Sequence, residues 1–235
     1  MADADWKVLP HGPIDKLSEN VWRVLGTLPR MSLRRNMVVA RLQDGRLVIH
    51  SAVALDAPSL AELEAWGEPA FLIVPNGWHR LDAAAFKRRY PKLRVLTPPG
   101  ARDKVARLVA VDGSDADFGD PRVSYRVIDG LGGLEGVLSV RSADGVTLAL
   151  TDCVFNMATP SRLLDRAFTT VMGSAPGPRI SRLFKAAGVK DSGAFKAELL
   201  RLAATPQLVR VVVAHDRVAH GIEAAETLRQ AAAYL

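Results

Sequence analysis

The stretch FLIVPNGWHRLDAAAFKRRYPKLRVL, residues 71–96, decides the fold class. It begins with a short apolar run typical of a buried strand, turns at Pro75-Asn76-Gly77, and reaches His79 before a helical pattern that ends ahead of Tyr90-Pro91. A second strand-like run follows at Leu93 to Leu96. The order strand, turn, helix, strand predicts an α/β fold. In such folds, ligand and metal groups gather in the turns after strands, which places interest on His79.

Composition limits the class of protein. The chain has 235 residues, of which 49% are hydrophobic, enough for one core, and we expect residues 1–235 to form a single domain. The net charge is +6, but the basic residues are dispersed and aromatic residues make up only 6%, which argues against nucleic-acid binding. The start, MADADWK, is polar, and no apolar run reaches the roughly 18 residues of a membrane span. We therefore expect a cytoplasmic protein without a membrane span. Whether identical chains form an oligomer stays an open question.

The segment before residue 71 predicts three strands. Residues 20–28 alternate in polarity as a strand does, and Met37 to Leu42 and Arg46 to Ile49 form a hairpin around Asp44-Gly45. Between them, Pro29 to Asn36 is predicted to be a basic, flexible connection. It is interpreted either as a flap over a site or as a plain surface loop.

Several helices follow from start and stop signals. Ser59 with Glu62 three residues later has the pattern of a capping box, and Gly67 is a typical helix end. The segments Ser161 to Met172 and Arg179 to Ala187 mix apolar residues with Arg and Lys. That pattern suits a helix on a membrane surface or over a cleft, but we expect both segments to cover the domain's own core.

Four apolar strand patterns end in a polar group that can bind a metal or move a proton. These groups are His50, His79, Asp152 and His215. If the strands run side by side in one direction, their ends meet at one rim and form a nitrogen and oxygen site suited to zinc, iron or manganese. With Cys153 as the single cysteine, and predicted to be buried, a metal must use His and Asp or Glu. Each histidine alone also fits a core position, and Asp152 alone fits the cap of a turn.

The order of these motifs resembles the metallo-β-lactamase superfamily. P-N-x-x-H at residues 75–79 and T-D-x-x-F-N at residues 151–156, followed by Ala214-His215, are most similar to the DUF4336-type family of uncharacterised bacterial proteins. The resemblance implies an α/β fold that is a four-layer αββα sandwich, with its site at one edge of the two sheets. The superfamily's usual metal motif is H-x-H-x-D-H. If His79 matches its last residue, the other three motif positions are Val74, Asn76 and Trp78.

The resemblance therefore implies a partly lost, at most mononuclear metal site. Its ligands would be His79, Asp152 and His215, with Asp82 or His50 as general base or support in catalysis. Two functions stay open. One is a hydrolase that uses one divalent metal (zinc, iron or manganese) on a small-molecule ester, thioester, lactone or phosphoester. The other is a non-catalytic protein of the same fold, with no metal, that binds a small-molecule ligand or a protein partner.

Overall fold

Two β-sheets and their covering helices form the molecule. The computed structural model describes residues 6–115 and 117–235, apart from the side chain of residue 32; residues 1–5 and 116, which the predicted domain includes, lie outside the described residues. The strands within them are β1 (Asp15–Ser18), β2 (Val21–Leu28), β3 (Met31–Arg41), β4 (Arg46–His50), β5 (Glu68–Ile73), β6 (Arg94–Leu96), β7 (Val123–Val127), β8 (Gly136–Ser142), β9 (Gly145–Ala149), β10 (Leu208–Val212) and β11 (Val218–His220). The helices are α1 (Ala57–Trp66), α2 (Ala83–Arg89), α3 (Arg102–Ala106), α4 (Leu163–Met172), α5 (Arg182–Ala187), α6 (Ser192–Ala203) and α7 (Ile222–Ala232).

The first sheet has the strand order β1-β2-β3-β4-β5-β6. Its first four strands are antiparallel neighbours, whereas β4, β5 and β6 run parallel to one another, with α1 and α2 as the connections between them. Parallel strands need such crossover helices, and their carboxyl ends lie at the same edge of the sheet. The end of β4 at His50 and the turn after β5 are therefore neighbours.

The second sheet has the order β11-β10-β9-β8-β7. Here β7, β8 and β9 are an antiparallel meander, and β9 pairs in parallel with β10 across the long segment that contains α4, α5 and α6. This parallel pair brings the residues after β9 and after β10 to one edge, which includes Asp152 and His215.

Three apolar clusters explain why the strands are so uniformly hydrophobic. Between the sheets, residues such as Val38, Ile73, Leu138 and Val212 form the central cluster. A second cluster lies between the first sheet and α1, α2 and α3, and a third between the second sheet and α5, α6 and α7. Strands buried on both faces cannot alternate with polar residues. The predicted α/β four-layer αββα sandwich is confirmed.

The prediction of a flexible connection over Pro29 to Asn36 is wrong. Strand β3 already begins at Met31 and pairs with β2 as far as Leu28, so this segment is the tip of a long hairpin with Arg30 at φ 64° in the turn. The basic residues misled the prediction because their partners are remote in sequence. Arg35 and Asn36 are 4% and 3% exposed, and Asn36 donates through Nδ2 to the carbonyl of Val213 at 2.7 Å.

Two helix predictions also need correction. Asp56, not Ser59, caps α1, since its carboxylate accepts from the backbone N–H of Ser59 at 2.9 Å. Helix α4 does not bury an apolar face: its buried residues are Asp165 and Thr169. Among the described residues, no helix has the length and apolar character to cross a bilayer.

Candidate metal centre

The turn after β5 is built by the side chain of Asn76, which is fully buried. Its Oδ1 accepts from the backbone N–H groups of Trp78 at 2.8 Å and of His79 at 2.9 Å, which closes the turn. Its Nδ2 donates to Asp152 Oδ2 at 2.9 Å and also lies near Thr151 Oγ1 and Glu135 Oε2. One amide therefore fixes the position of His79 relative to Asp152, although they belong to different sheets.

His79, Asp152 and His215 meet at the common edge of the two sheets. His79 Nε2 lies 3.1 Å from Asp152 Oδ1, and His215 Nε2 lies 3.5 Å from the same oxygen. One ligand atom of each residue falls within 4.8 Å of the others. Their side chains are only 7%, 13% and 8% exposed. Two imidazole nitrogens and a carboxylate oxygen in this arrangement are a donor set that suits zinc or a related divalent ion.

The other nitrogen of each ring is held from outside the centre. His79 Nδ1 lies 3.1 Å from Ser51 Oγ. His215 Nδ1 lies 2.5 Å from the carbonyl oxygen of Arg34, so it must donate its hydrogen there, since a carbonyl only accepts. Both Nε2 atoms are thereby directed at Asp152. Metal-binding histidines usually have such outer partners, which set the tautomer and the ring orientation.

The electrostatics favour a positive charge between these groups. Burial lowers the pKa of His79, but the attraction and hydrogen bond of Asp152 outweigh it, so the pKa is raised from its ordinary value. Burial alone would raise the pKa of Asp152, but the two histidines lower it overall. The carboxylate stays ionised and attracts a proton or a metal ion.

The structure leaves two predicted catalytic residues outside this group. Asp82 forms an ion pair with Arg35 and accepts from the backbone N–H of Ala54 at 3.0 Å; the side chains of Arg35 and Asp82 are 4% and 11% exposed. His50 is buried, its Nε2 has no hydrogen-bond partner among the described residues, and burial with the nearby His79 lowers its pKa to about 3. A neutral His50 and a paired Asp82 lie next to the centre, and their roles in catalysis stay a prediction.

Sequence reasoning missed Glu135 and the supporting work of Asn76. Glu135 is fully buried and accepts from the backbone N–H of Thr151 at 2.7 Å. Burial and the neighbouring Asp152 raise its pKa. Burial also raises the pKa of Cys153 well above its ordinary value, as expected for an inert thiol. The position of Glu135 directly before the apolar strand β8 is the only signal in the sequence.

A cavity of about 240 Å³ opens above the three residues. One wall is the β2–β3 hairpin, with Leu28, Met31 and Leu33, and the other comes from α4 and α5, with Phe168, Met172, Leu183 and Phe184. His79, Asp152 and His215 form the polar floor. An apolar cavity with a few convergent polar groups is the usual form of a small-molecule site.

Solved structures with a similar fold include three metallo-β-lactamases. The enzyme from Pontibacter korlensis aligns with TM-score 0.61 and 13% identity over 94% of this chain and 99% of its own. DIM-1, exposed to ceftazidime, aligns with TM-score 0.63 and 11% identity over 97% of this chain and 99% of its own. The Erythrobacter litoralis protein, with β-mercaptoethanol in its active site, aligns with TM-score 0.63 and 14% identity over 97% of this chain and 100% of its own.

No protein-family model matches the sequence, and no curated protein sequence does. At these identities the likeness concerns the arrangement of the chain and not its chemistry. The chain has the metallo-β-lactamase fold.

Proposed function

We propose that this chain is a metal-dependent hydrolase with a single metal position held by His79, Asp152 and His215. One observation carries the proposal: both Nε2 atoms face Asp152 Oδ1, at 3.1 and 3.5 Å, while both Nδ1 atoms are engaged elsewhere. With Nδ1–H of His215 donated to Arg34, a neutral His215 directs a lone pair at a carboxylate. That arrangement is repulsive without a cation between the groups.

The remaining motif positions support one metal position rather than two. Val74 is buried, Asn76 uses its amide in the turn, and Trp78 has a ring centroid 6.5 Å from that of Phe184. None of these side chains offers an imidazole or carboxylate. The P-N-x-x-H and T-D-x-x-F-N motifs support the finer resemblance to the DUF4336-type family, in which this partly lost motif would be shared.

The chain's own residues have clear tasks in such a reaction. A bound divalent ion would supply a Lewis acid and lower the pKa of a water molecule. Ser51 and the Arg34 carbonyl orient the two imidazoles, and Asn76 orients Asp152. The apolar walls exclude bulk water and accept the non-reacting part of a small-molecule ester, thioester, lactone or phosphoester.

Metal content of the purified, tag-free chain tests this proposal. We expect about one equivalent of zinc, iron or manganese per chain, lost in His79→Ala and in His215→Ala, and retained in His220→Ala, since His220 is exposed on β11. A screen of chromogenic esters, thioesters, lactones and phosphoesters follows with the loaded protein. A parent chain that stays metal-free with excess ion present would refute the proposal.

The alternative function is a non-catalytic member of this fold. It is favoured by the direct contact of 3.1 Å between His79 and Asp152, because a protonated imidazole satisfies the carboxylate without a metal. Under this alternative, excess zinc leaves the melting temperature unchanged, because a ligand stabilises a protein only by binding its native state.

A further inference from the structure

The surface of α4 is the reverse of an ordinary amphipathic helix. Its apolar residues Leu163, Leu164 and Val171 are 78%, 73% and 64% exposed, whereas the polar residues Asp165 and Thr169 are buried. A helix on a globular domain normally turns its apolar stripe to the core. An exposed stripe of this kind indicates an apolar partner.

The apolar surface continues into the mouth of the cavity above the candidate metal centre. Phe168 of α4 and Leu183 of α5 line that cavity and are still 45% and 55% exposed. Trp78 and Leu81, which line the same cavity, are 50% and 47% exposed. The outer face of α4 and the rim of the cavity therefore form one apolar surface, called here the α4 face.

The charge around the α4 face is strongly positive. Residues 157–190 contain six Lys or Arg residues and a single acidic residue, Asp165, which is buried. Arg162 directly before α4, Arg166 on α4 and Arg182 on α5 are exposed. A second copy of the chain across a two-fold axis would bring these like charges together, which disfavours self-association. An anionic partner is favoured instead.

The aliphatic centre of this face selects among anionic partners. The three most exposed apolar residues of this face are aliphatic, and its aromatic residues Phe168 and Trp78 line the cavity mouth, so the helix offers no row of rings for stacking nucleic-acid bases. They match the boundary between headgroups and acyl chains of a bilayer, where apolar helix faces bind while flanking Arg residues attract anionic headgroups. A lipid surface therefore explains both the apolar centre of the α4 face and the basic residues around it.

We infer that the α4 face is a docking surface for an anionic lipid bilayer. Leu163, Leu164 and Val171 enter the headgroup region, and Arg162, Arg166 and Arg182 contact lipid phosphates. The cavity mouth then opens towards the membrane. This docking needs no metal and is independent of the proposed hydrolase activity.

Co-sedimentation with sucrose-loaded vesicles tests the inference. The full chain should bind vesicles of phosphatidylcholine with a third phosphatidylglycerol at least about tenfold more tightly than pure phosphatidylcholine vesicles, and raising the salt from about 0.05 to about 0.5 M should weaken binding. The L163Q/L164Q variant should lose at least about tenfold in affinity. The R162Q/R166Q variant should lose about thirtyfold in affinity at low salt, since each Arg contributes about 1 kcal/mol near an anionic surface.

Matched variants on another helix distinguish binding through the α4 face from nonspecific binding to vesicles. Ile222 of α7 is 90% exposed, and Arg229 of the same helix is exposed, so I222Q and R229Q should bind vesicles as the parent does. His79→Ala should bind vesicles unchanged, which keeps this test apart from the metal test. The inference is overturned if the parent ignores anionic vesicles, or if I222Q loses as much as L163Q/L164Q. The inference is also overturned if the parent does not bind vesicles but instead self-associates, or binds an acidic polypeptide, through a surface that L163Q/L164Q disrupts.

Discussion

Replacing Asn76 by alanine tests how the candidate metal centre is held together. The Asn76 side chain is fully buried and serves two elements at once: Oδ1 accepts from the backbone N–H of Trp78 and of His79, and Nδ2 donates to Asp152. Asn76→Ala removes these three hydrogen bonds together with those to Thr151 and Glu135, and leaves at least the His79 N–H and Asp152 Oδ2 without a partner. Each unsatisfied buried group costs about 1–3 kcal/mol, so the free energy of unfolding should fall by about 3–4 kcal/mol.

Urea denaturation and zinc competition measure the two consequences separately. Besides the loss of stability, zinc affinity should fall by about 10- to 100-fold, as for other residues that orient metal ligands. Thr151→Val is the matched comparison, because Thr151 Oγ1 is only one of the acceptors near Asn76 Nδ2, at 3.1 Å. It should cost no more than about 1.5 kcal/mol. A loss below about 1 kcal/mol in Asn76→Ala, with unchanged zinc affinity, would refute the role given to this amide.

Two other predictions concern the buried groups beside the centre. The unfolded chain protonates His50 near its ordinary pKa of 6.5, but the folded chain only at about pH 3, so acid favours unfolding; from pH 7.5 to 5 this residue should remove about 2 kcal/mol from the free energy of unfolding. Urea denaturation at both pH values should show a smaller pH-dependent loss in His50→Gln than in the parent, and equal losses would contradict the burial of a neutral imidazole. Arg35→Met should cost about 3–5 kcal/mol, because it removes the cation paired with the nearly buried Asp82. Adding Asp82→Asn should recover part of that loss in a double-mutant cycle, and a cost of Arg35→Met below about 1 kcal/mol would contradict the pairing.

The strand ends could be predicted because they depend on local patterns. Apolar runs that are followed by His50, His79, Asp152 and His215, in the case of His79 after a short turn, indicate both the buried strands and the polar groups after them. Parallel pairing of β4 with β5 and of β9 with β10 then places those ends at shared edges. Periodicity and topology thus bring four candidate groups to these edges, whereas the choice of three of them as metal ligands comes from the family resemblance.

The surroundings of the centre could not be predicted because they depend on distant pairs. Asp82 looks available in the sequence, but its partner Arg35 is 47 residues away. Glu135 accepts a hydrogen bond from Asn76, which is 59 residues away. The basic pair at 34–35 is typical of a surface loop, and the sequence does not show that Arg35 donates to buried acceptors. The outward apolar face of α4 is also invisible to periodicity, because a hydrophobic stripe does not reveal which way it faces.

The two candidate functions differ in whether a metal ion or a proton lies between His79, Asp152 and His215. His79 and His215 share one carboxylate oxygen, and their outer nitrogens are already occupied by Ser51 and the Arg34 carbonyl. A neutral His79 can donate Nε2–H to Asp152 when Ser51 Oγ donates to its Nδ1, whereas a neutral His215 with Nδ1–H on the Arg34 carbonyl directs a lone pair at the same carboxylate. A divalent ion would bind all three ligand atoms at once, whereas a proton on His79, whose pKa Asp152 raises against burial, bridges one nitrogen to the carboxylate. The hydrogen bond from His215 Nδ1 to the Arg34 carbonyl suits a metal ligand and an imidazolium alike, so the effect of zinc on the melting temperature is the observation that separates the two functions.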